Sequence, residues 1–196
     1  MTLDASAAPR TSFPLRVWRA ACLHADTYEE VEADPSSMGQ ALVLVIAACL
    51  SAALGGWLRA NSGHPLPGEA LPLPLHLFVV AIEPLVNWIV SGAFAYMVGA
   101  TFLRGPETET DYAEVLRTTG FASGPALLFL LAWVPPEPLG LVFMGVAQVW
   151  VMLASVVAVR QALDFGTGRA IATYGVARFL MWLALWGLTV VPLPIG

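Results

Sequence analysis

Long uncharged stretches alternate with short polar segments along this chain of 196 residues. Apolar stretches of this length predict membrane-spanning helices of about 20 residues each. We place five spans, at about 38–58, 75–103, 118–134, 138–160 and 170–191. The sequence therefore predicts an all-α fold, a polytopic transmembrane helical bundle that occupies residues 35–196.

Residues 1–34 form a polar region ahead of the first span, and they begin with a tail at 1–12. From Phe13 to Val31, apolar residues recur at helical spacing, and Arg16 and Arg19 flank the apolar face. This pattern predicts an amphipathic juxtamembrane helix at the membrane surface, where both arginines can reach lipid phosphates. Its acidic second half is either a solvated surface or a docking surface for a cytoplasmic protein.

Two of the predicted spans carry local irregularities. Pro84 lies within the second span and provides a cause for a kink. Ahead of the third span, Asp111 is followed three residues later by Glu114, which is typical of a capping box at the start of a short amphipathic helix. Gly124 and Pro125 come early in the third span and should distort its first turns.

The arginines predict the orientation of the bundle. With the N-terminus in the cytoplasm, Arg59 alone falls outside, and Arg178 lies within the fifth span. Positive residues concentrate on the cytoplasmic side of membrane proteins, so this orientation is favoured and the C-terminus lies outside. The arginines on the inner side are Arg10, Arg16, Arg19, Arg104, Arg117, Arg160 and Arg169.

Composition supports the membrane assignment and excludes some partners. The chain is 58% hydrophobic and only 12% charged, which is half the charged share of a typical soluble domain. Its net charge of -5 gives no support for a nucleic-acid partner. All nine cationic residues are arginine and none is lysine, which suggests a GC-rich bacterium and hence the inner, cytoplasmic membrane.

The sequence carries no signature of an enzyme, a metal site or a cofactor site. It lacks the His-Glu-x-x-His pattern of zinc proteases. Ser123 and Gly124 resemble part of an intramembrane serine protease, but no histidine follows His76 to act as a base. We therefore predict a non-enzymatic protein without a metal or other cofactor.

Glu83 is the most informative polar residue within a predicted span. Asn87 and Ser91 follow at helical spacing, so the three form one polar stripe, and Gln148 in the fourth span could join it. Arg178 is the obvious counter-ion, but the predicted depths put Glu83 nearer the outer face and Arg178 nearer the inner face. An intramembrane acid is costly and needs a partner. The stripe is either a proton or ion relay or a buried polar cluster that fixes helix packing.

Small residues in the first span suggest close helix packing. Ala48, Ala52 and Gly56 recur every four residues, a stripe that lets another helix approach. The stripe makes a homo-oligomer plausible alongside contact with the lipid bilayer.

Several short motifs occur in a consistent order along the chain. Tyr28 to Pro35 leads into the first span, and Tyr112 to Arg117 leads to Gly120, Phe121 and Pro125. Trp150 in the fourth span precedes the segment that begins at Arg160. With five spans, these motifs resemble the Yip1 family of membrane proteins, and the glycine–aromatic pair ahead of a proline is similar to that family's own element.

The resemblance implies a non-enzymatic integral membrane protein. Eukaryotic Yip1 proteins associate with Rab-type GTPases and act in vesicle trafficking, but the family's Asp-Leu-Tyr-Gly-Pro element is replaced here by Glu32-Ala33-Asp34-Pro35. We therefore expect a membrane scaffold whose acidic N-terminal helix and 105–117 connector dock a cytoplasmic protein. The alternative is a small transporter or ion-conducting protein that uses the stripe around Glu83.

Overall fold

A computed structural model of the chain describes residues 11–63, 72–105 and 110–190, with side chains up to residue 186. The described residues contain helices and no strand, so the all-α prediction is confirmed. The α-helices are α1 (Phe13–Ala21), α2 (Ala25–Ala33), α3 (Ser37–Asn61), α4 (Leu73–Met97), α5 (Tyr112–Phe121), α6 (Glu137–Ala162) and α7 (Thr167–Val190). A π-helical turn, Val98–Phe102, extends α4, and a 3₁₀ helix, Gly124–Trp133, follows α5.

Three of the described helices are long and apolar enough to cross a membrane: α3, α4 with its π turn, and α6. The pair formed by α5 and the 3₁₀ helix, bent by 42°, adds a fourth if it crosses as one span. The protein is therefore a multi-pass membrane protein with three or four such spans in its described part. The count of five stays a prediction, and residue 191 of the fifth predicted span lies outside the described residues.

The four long helices and the 3₁₀ helix surround a central space. Contacts run from α3 to α4, from α4 to α7, from α7 to α6, and from α6 through the 3₁₀ helix back to α3. One end of this ring carries a continuous core, because Leu163 after α6 packs beside Ala95, Val115 and Ala170. That end holds the end of α4 and α6 and the start of α5 and α7.

The third predicted span differs from the prediction. It was expected to run from residue 118, but α5 continues to Phe121 and a separate 3₁₀ helix begins at Gly124. The predicted distortion at Gly124 and Pro125 therefore extends over the whole segment. Two glycines allow neighbouring helices to approach its backbone, since a Cβ atom at Gly55 would overlap the carbonyl oxygen of Phe129 and Gly140 lies equally close to Ala132.

The predicted N-terminal helix is wrong in its length, and its placement at the membrane surface stays a prediction. The chain forms two helices, α1 and α2, and the middle one of the three residues between them, Leu23, has a φ of 63°. These two helices, here called the N-terminal cap, pack on α5, α6 and the 3₁₀ helix. Tyr28 and Val31 are completely buried, and Arg16 is 2% exposed and so does not reach lipid phosphates.

Apart from Arg178 within α7, the described arginines lie at the two ends of the bundle. Arg59 lies at the end opposite the N-terminal cap, where it forms a 2.9 Å ion pair with Glu137 at the start of α6. The arginines at the cap end are Arg16, Arg19, Arg104, Arg117, Arg160 and Arg169. This separation is the one that the predicted orientation requires.

Candidate functional site: a polar cavity within the bundle

A cavity of about 380 Å³ lies inside this ring of helices. Residues of α3, α4, α6 and α7 line it, together with residues from α5 and the 3₁₀ helix. All the polar residues singled out in the sequence lie on its wall: Glu83, Asn87, Ser91, Gln148 and Arg178. The structure therefore brings the stripe of α4 together with side chains from two other helices.

The stripe forms because α4 stays helical through this region, with Pro84 inside it. Glu83, Asn87 and Ser91 are spaced four residues apart, so they lie on one face and rise by about 6 Å per step. Arg178 of α7 reaches the same face, where its Nη1 atom donates a hydrogen bond to Asn87 Oδ1 at 3.2 Å. Arg178 therefore sits one helical turn from Glu83, closer than the depths expected from the sequence.

Glu83 and Arg178 face the cavity without pairing with each other. Within the described residues, the Glu83 carboxylate forms no ion pair and accepts no hydrogen bond, and Arg178 bonds to Asn87 alone. Glu83, Gln148 and Arg178 are all exposed, which means that the cavity is open to its surroundings. The Glu83 carboxylate can therefore accept hydrogen bonds from a ligand, and the Arg178 guanidinium can donate them.

Other polar residues on the cavity wall were not identified from the sequence. Their side chains are small or weakly polar, and such residues are common inside membrane helices, so the sequence offered little signal. They are Cys49, Thr119, Ser155 and Tyr174. Ser123, which the sequence analysis considered only as a protease residue, also lies on the wall. The described residues contain no group of three or more histidine, cysteine or acidic side chains that could hold a metal ion.

Two sequence features near the cavity have structural roles. His76 joins α4 to α3, because its ring Nε2 lies 2.9 Å from the carbonyl oxygen of Ala53 in a buried contact. Among the small residues of α3, Ala48 and Ala52 line the cavity, and Gly56 is buried. This stripe therefore contributes to packing within the chain, and the homo-oligomer stays a prediction.

The residues that carry the family resemblance hold α5 against its neighbours. The Tyr112 hydroxyl donates to the carbonyl oxygen of Ile89 at 2.7 Å. A Cβ atom at Gly120 would press on Ala41 of α3, and Phe121 is completely buried. Pro125 is buried in the first turn of the 3₁₀ helix.

The start of α5 is fixed by the predicted capping box. The Glu114 backbone amide donates to Asp111 Oδ1 at 2.8 Å, and the Asp111 amide donates to Glu114 Oε2 at the same distance. This reciprocal pair satisfies two amides that a helix start otherwise leaves open. The capping box is therefore confirmed, with Asp111 as the N-cap of a helix that runs from Tyr112 to Phe121.

Arg16 holds the N-terminal cap together. Its guanidinium lies 2.9 Å from Glu30 and 3.1 Å from Asp34 in two ion pairs, and it also donates to Gln40 of α3 at 3.3 Å. The Ser36 hydroxyl, and next Arg16, lower the pKa of Asp34. These contacts tie α1 to α2 and to the first turn of α3.

A second set of polar contacts joins the cap to the bundle. The Trp150 indole donates to the carbonyl oxygen of Ala21 at 2.7 Å, and Gln161 donates to Glu29 at 2.7 Å. Arg117, which is buried, donates to the backbone oxygen of Glu32 at 2.7 Å. The cap is thus attached to both α5 and α6.

The side chain of Glu32 lies among like charges at this junction. Burial, and then the carboxylates of Asp164 and Glu114, raise the pKa of Glu32 to about 7, while Arg117 opposes the shift. Glu32 therefore changes its charge near neutral pH.

Comparison with known families supports the resemblance that the sequence motifs indicated. The model of the Yip1 domain matches residues 23–189, which includes α2, the bundle and every residue named on the cavity wall. Comparison with curated proteins and with solved structures gives no match. The matched range covers most of the chain, and we conclude that the protein belongs to the Yip1 family of membrane proteins.

Proposed function

We propose that this protein binds a small polar solute in the cavity of its bundle and passes it across the membrane. The observation that supports this proposal is the convergence of Glu83, Asn87, Ser91, Gln148 and Arg178 on one cavity. Ionisable residues within a membrane are costly and typically mark a pathway for ions or solutes. The volume of about 380 Å³ falls within the usual range for small-molecule sites.

The unpaired carboxylate favours solute binding over a purely structural role. A polar cluster that only fixes helix packing satisfies its own members, because unsatisfied polar groups are expensive away from water. Among the described residues, Glu83 has no such partner. The carboxylate is therefore open to a solute, a proton or water.

Proteoliposomes test this function directly. Stopped-flow light scattering would follow the entry of a panel of small polar solutes, and an enclosed pH-sensitive dye would follow protons. We expect the wild type to pass at least one of them, and Glu83→Gln to slow that flux by roughly tenfold or more, as the loss of one charged contact predicts. Val86→Ala is the control, because Val86 lies on the outer surface of α4 and is 48% exposed.

The protein must remain folded for this test to be informative. Glu83→Gln should elute and melt like the wild type, since Glu83 makes no contact that folding depends on in the described residues. A wild type that passes neither protons nor any solute, or a Glu83→Gln variant that retains full flux, would refute the proposal.

A second function, docking of a cytoplasmic protein, is favoured by the outward surface of the N-terminal cap. Trp18 is 66% exposed and Leu15 is 48% exposed, and Asp26 on α2 is exposed nearby along the chain. The contacts of Arg16 and Trp150 hold this surface in place. Tryptophan is enriched in binding hot spots, and a rigid surface loses little entropy on binding. In the orientation we propose, with five spans in the cell inner membrane, the cap faces the cytoplasm.

Site-specific photocrosslinking tests the docking function. A photoreactive residue at position 18 should capture one protein at near-stoichiometric yield, and one at position 182, which is 58% exposed on α7, should not. The captured protein, once purified, should bind the wild type and lose affinity for Trp18→Ala. Crosslinks from position 18 to lipid alone would exclude this function.

A further inference from the structure

We propose that the cavity accepts a zwitterion, a small molecule that carries an ammonium group and an anionic group. The ammonium group would lie at Glu83 and the anionic group at Arg178. This inference rests on the proposed solute-binding function and adds the chemical class of the solute.

The first argument is the balance of charge. Among the residues on the cavity wall, Glu83 and Arg178 are the charged ones, one of each sign. A simple cation at Glu83 would leave Arg178 without a counter-ion, and a simple anion at Arg178 would leave Glu83 without one. Uncompensated charge is expensive in a low-dielectric region. A zwitterion compensates both groups and keeps the cavity neutral.

The second argument is the set of bonding groups that remain open. Arg178 uses Nη1 for Asn87, and a guanidinium has five N–H donors, so most of its donors are available for a carboxylate or phosphate. The Glu83 oxygens accept nothing from the described residues, so they can receive the N–H bonds of an ammonium group. Both charged ends of a zwitterion therefore find an unoccupied partner.

The third argument is the spacing. Asn87 and Glu83 are one turn apart on α4, which is roughly 6 Å along the helix axis. The Arg178 guanidinium is bonded to Asn87, so it is offset from Glu83 by about this interval. A molecule whose charges are separated by a short chain matches this interval better than an α-amino acid, whose charges share one carbon. γ-Aminobutyrate fits this description, and so does phosphoethanolamine, either free or as a lipid headgroup.

Binding to the purified full-length protein in detergent tests the inference. Isothermal titration calorimetry would compare the zwitterions γ-aminobutyrate and glycerophosphoethanolamine with butylamine, with butyrate, and with neutral erythritol. We expect a zwitterion to bind roughly tenfold more tightly than either singly charged analogue, since each analogue lacks one charge-assisted contact. Ser155→Phe, which fills the cavity from α6, should abolish this binding.

Two variants should change the selectivity in opposite directions. In Glu83→Gln, butyrate should bind as well as γ-aminobutyrate, because the ammonium group no longer has a counter-ion. In Arg178→Gln, butylamine should bind as well as γ-aminobutyrate. A role in folding alone would not exchange the preferred analogue, and each variant tests one end of the ligand independently if the other fails to fold.

The outcomes separate the source of the ligand and the two levels of the proposal. If phosphatidylethanolamine in nanodiscs competes with the zwitterion and phosphatidylglycerol does not, the natural ligand is a lipid headgroup. If neither lipid competes, the ligand is a free solute. The inference is overturned if no zwitterion binds, if a singly charged analogue binds as tightly, or if both variants keep the wild-type preference. If erythritol or a singly charged analogue binds and Ser155→Phe removes that binding, the zwitterion inference fails but the solute-binding function stands. If the flux also does not depend on Glu83, both the inference and the proposed function are refuted.

Discussion

Replacing Arg16 with methionine should open the N-terminal cap and leave the bundle folded. Arg16 contacts Glu30 through Nε at 3.0 Å and Nη2 at 2.9 Å, and it contacts Asp34 and Gln40 through Nη1 at 3.1 and 3.3 Å. Methionine keeps much of the aliphatic volume and removes all of these contacts. The helices of the ring do not depend on them, apart from the first turn of α3.

The loss of stability in Arg16→Met depends on how deeply Arg16 and its two carboxylate partners are buried. Removing one partner of a fully buried pair costs about 3–5 kcal/mol. Here the arginine side chain is 3% exposed, but Glu30 and Asp34 are 29% and 17% exposed, so water recovers part of the loss. We expect about 2–3 kcal/mol, which corresponds to a roughly 30- to 150-fold larger equilibrium constant for opening of the cap.

Hydrogen exchange measured by mass spectrometry in nanodiscs would check this value. Amides of α1 and α2 should exchange faster in Arg16→Met by the stated factor, while those of α3 and α6 should not change. Arg19→Met is the matched control, because Arg19 is on the same helix and is only half-buried. Equal exchange in the two variants, or faster exchange throughout α6, would refute the assignment of Arg16 as the residue that holds the cap.

Two further predictions concern helix packing and pH. Gly55→Ala should lower thermal stability by an amount that corresponds to about 1–3 kcal/mol, because its Cβ would overlap the carbonyl oxygen of Phe129. Gly39→Ala on the same helix has open space and should be neutral or stabilising, and equal effects of the two would contradict this reasoning. Burial raises the pKa of Glu32 from 4.5 to about 7, so the folded protein keeps a proton that the unfolded chain releases, and stability should fall as pH rises through this window. Partial exposure of Glu32 limits this loss of stability to about 1–2 kcal/mol. Glu32→Gln should remove the loss. If wild type and variant lose stability in parallel as pH rises, Glu32 is not its cause.

The cavity was partly predictable because helical periodicity determines which residues share a face. The period of 3.6 residues placed Glu83, Asn87 and Ser91 on one stripe without any knowledge of neighbouring helices. The arrival of Gln148 and Arg178 at that stripe depends on how α6 and α7 pack, which no local pattern encodes. Depth counted from predicted span ends also ignored the reach of a long arginine side chain, which brings Arg178 to Asn87.

The N-terminal cap could not be predicted for two physical reasons. An arginine beside an apolar face looks the same in sequence whether it meets lipid phosphates or carboxylates folded back from further along the chain. Arg16 does the second, through Glu30 and Asp34. The break between α1 and α2 occurs at Leu23, whose φ of 63° lies in a region that sequence rules reserve for glycine or asparagine.

The 3₁₀ helix connects the irregular third segment to the cavity. Ten residues from Gly124 to Trp133 would rise about 15 Å as an α-helix but about 20 Å as a 3₁₀ helix. With α5, a short segment thus approaches the roughly 30 Å thickness of the hydrocarbon core. A 3₁₀ helix is also narrower than an α-helix, and the glycines Gly55 and Gly140 allow it to lie directly against α3 and α6. Its Ala126 and Phe129 border the cavity, so the element that sequence analysis treated as a distorted span forms part of the wall of the proposed binding site.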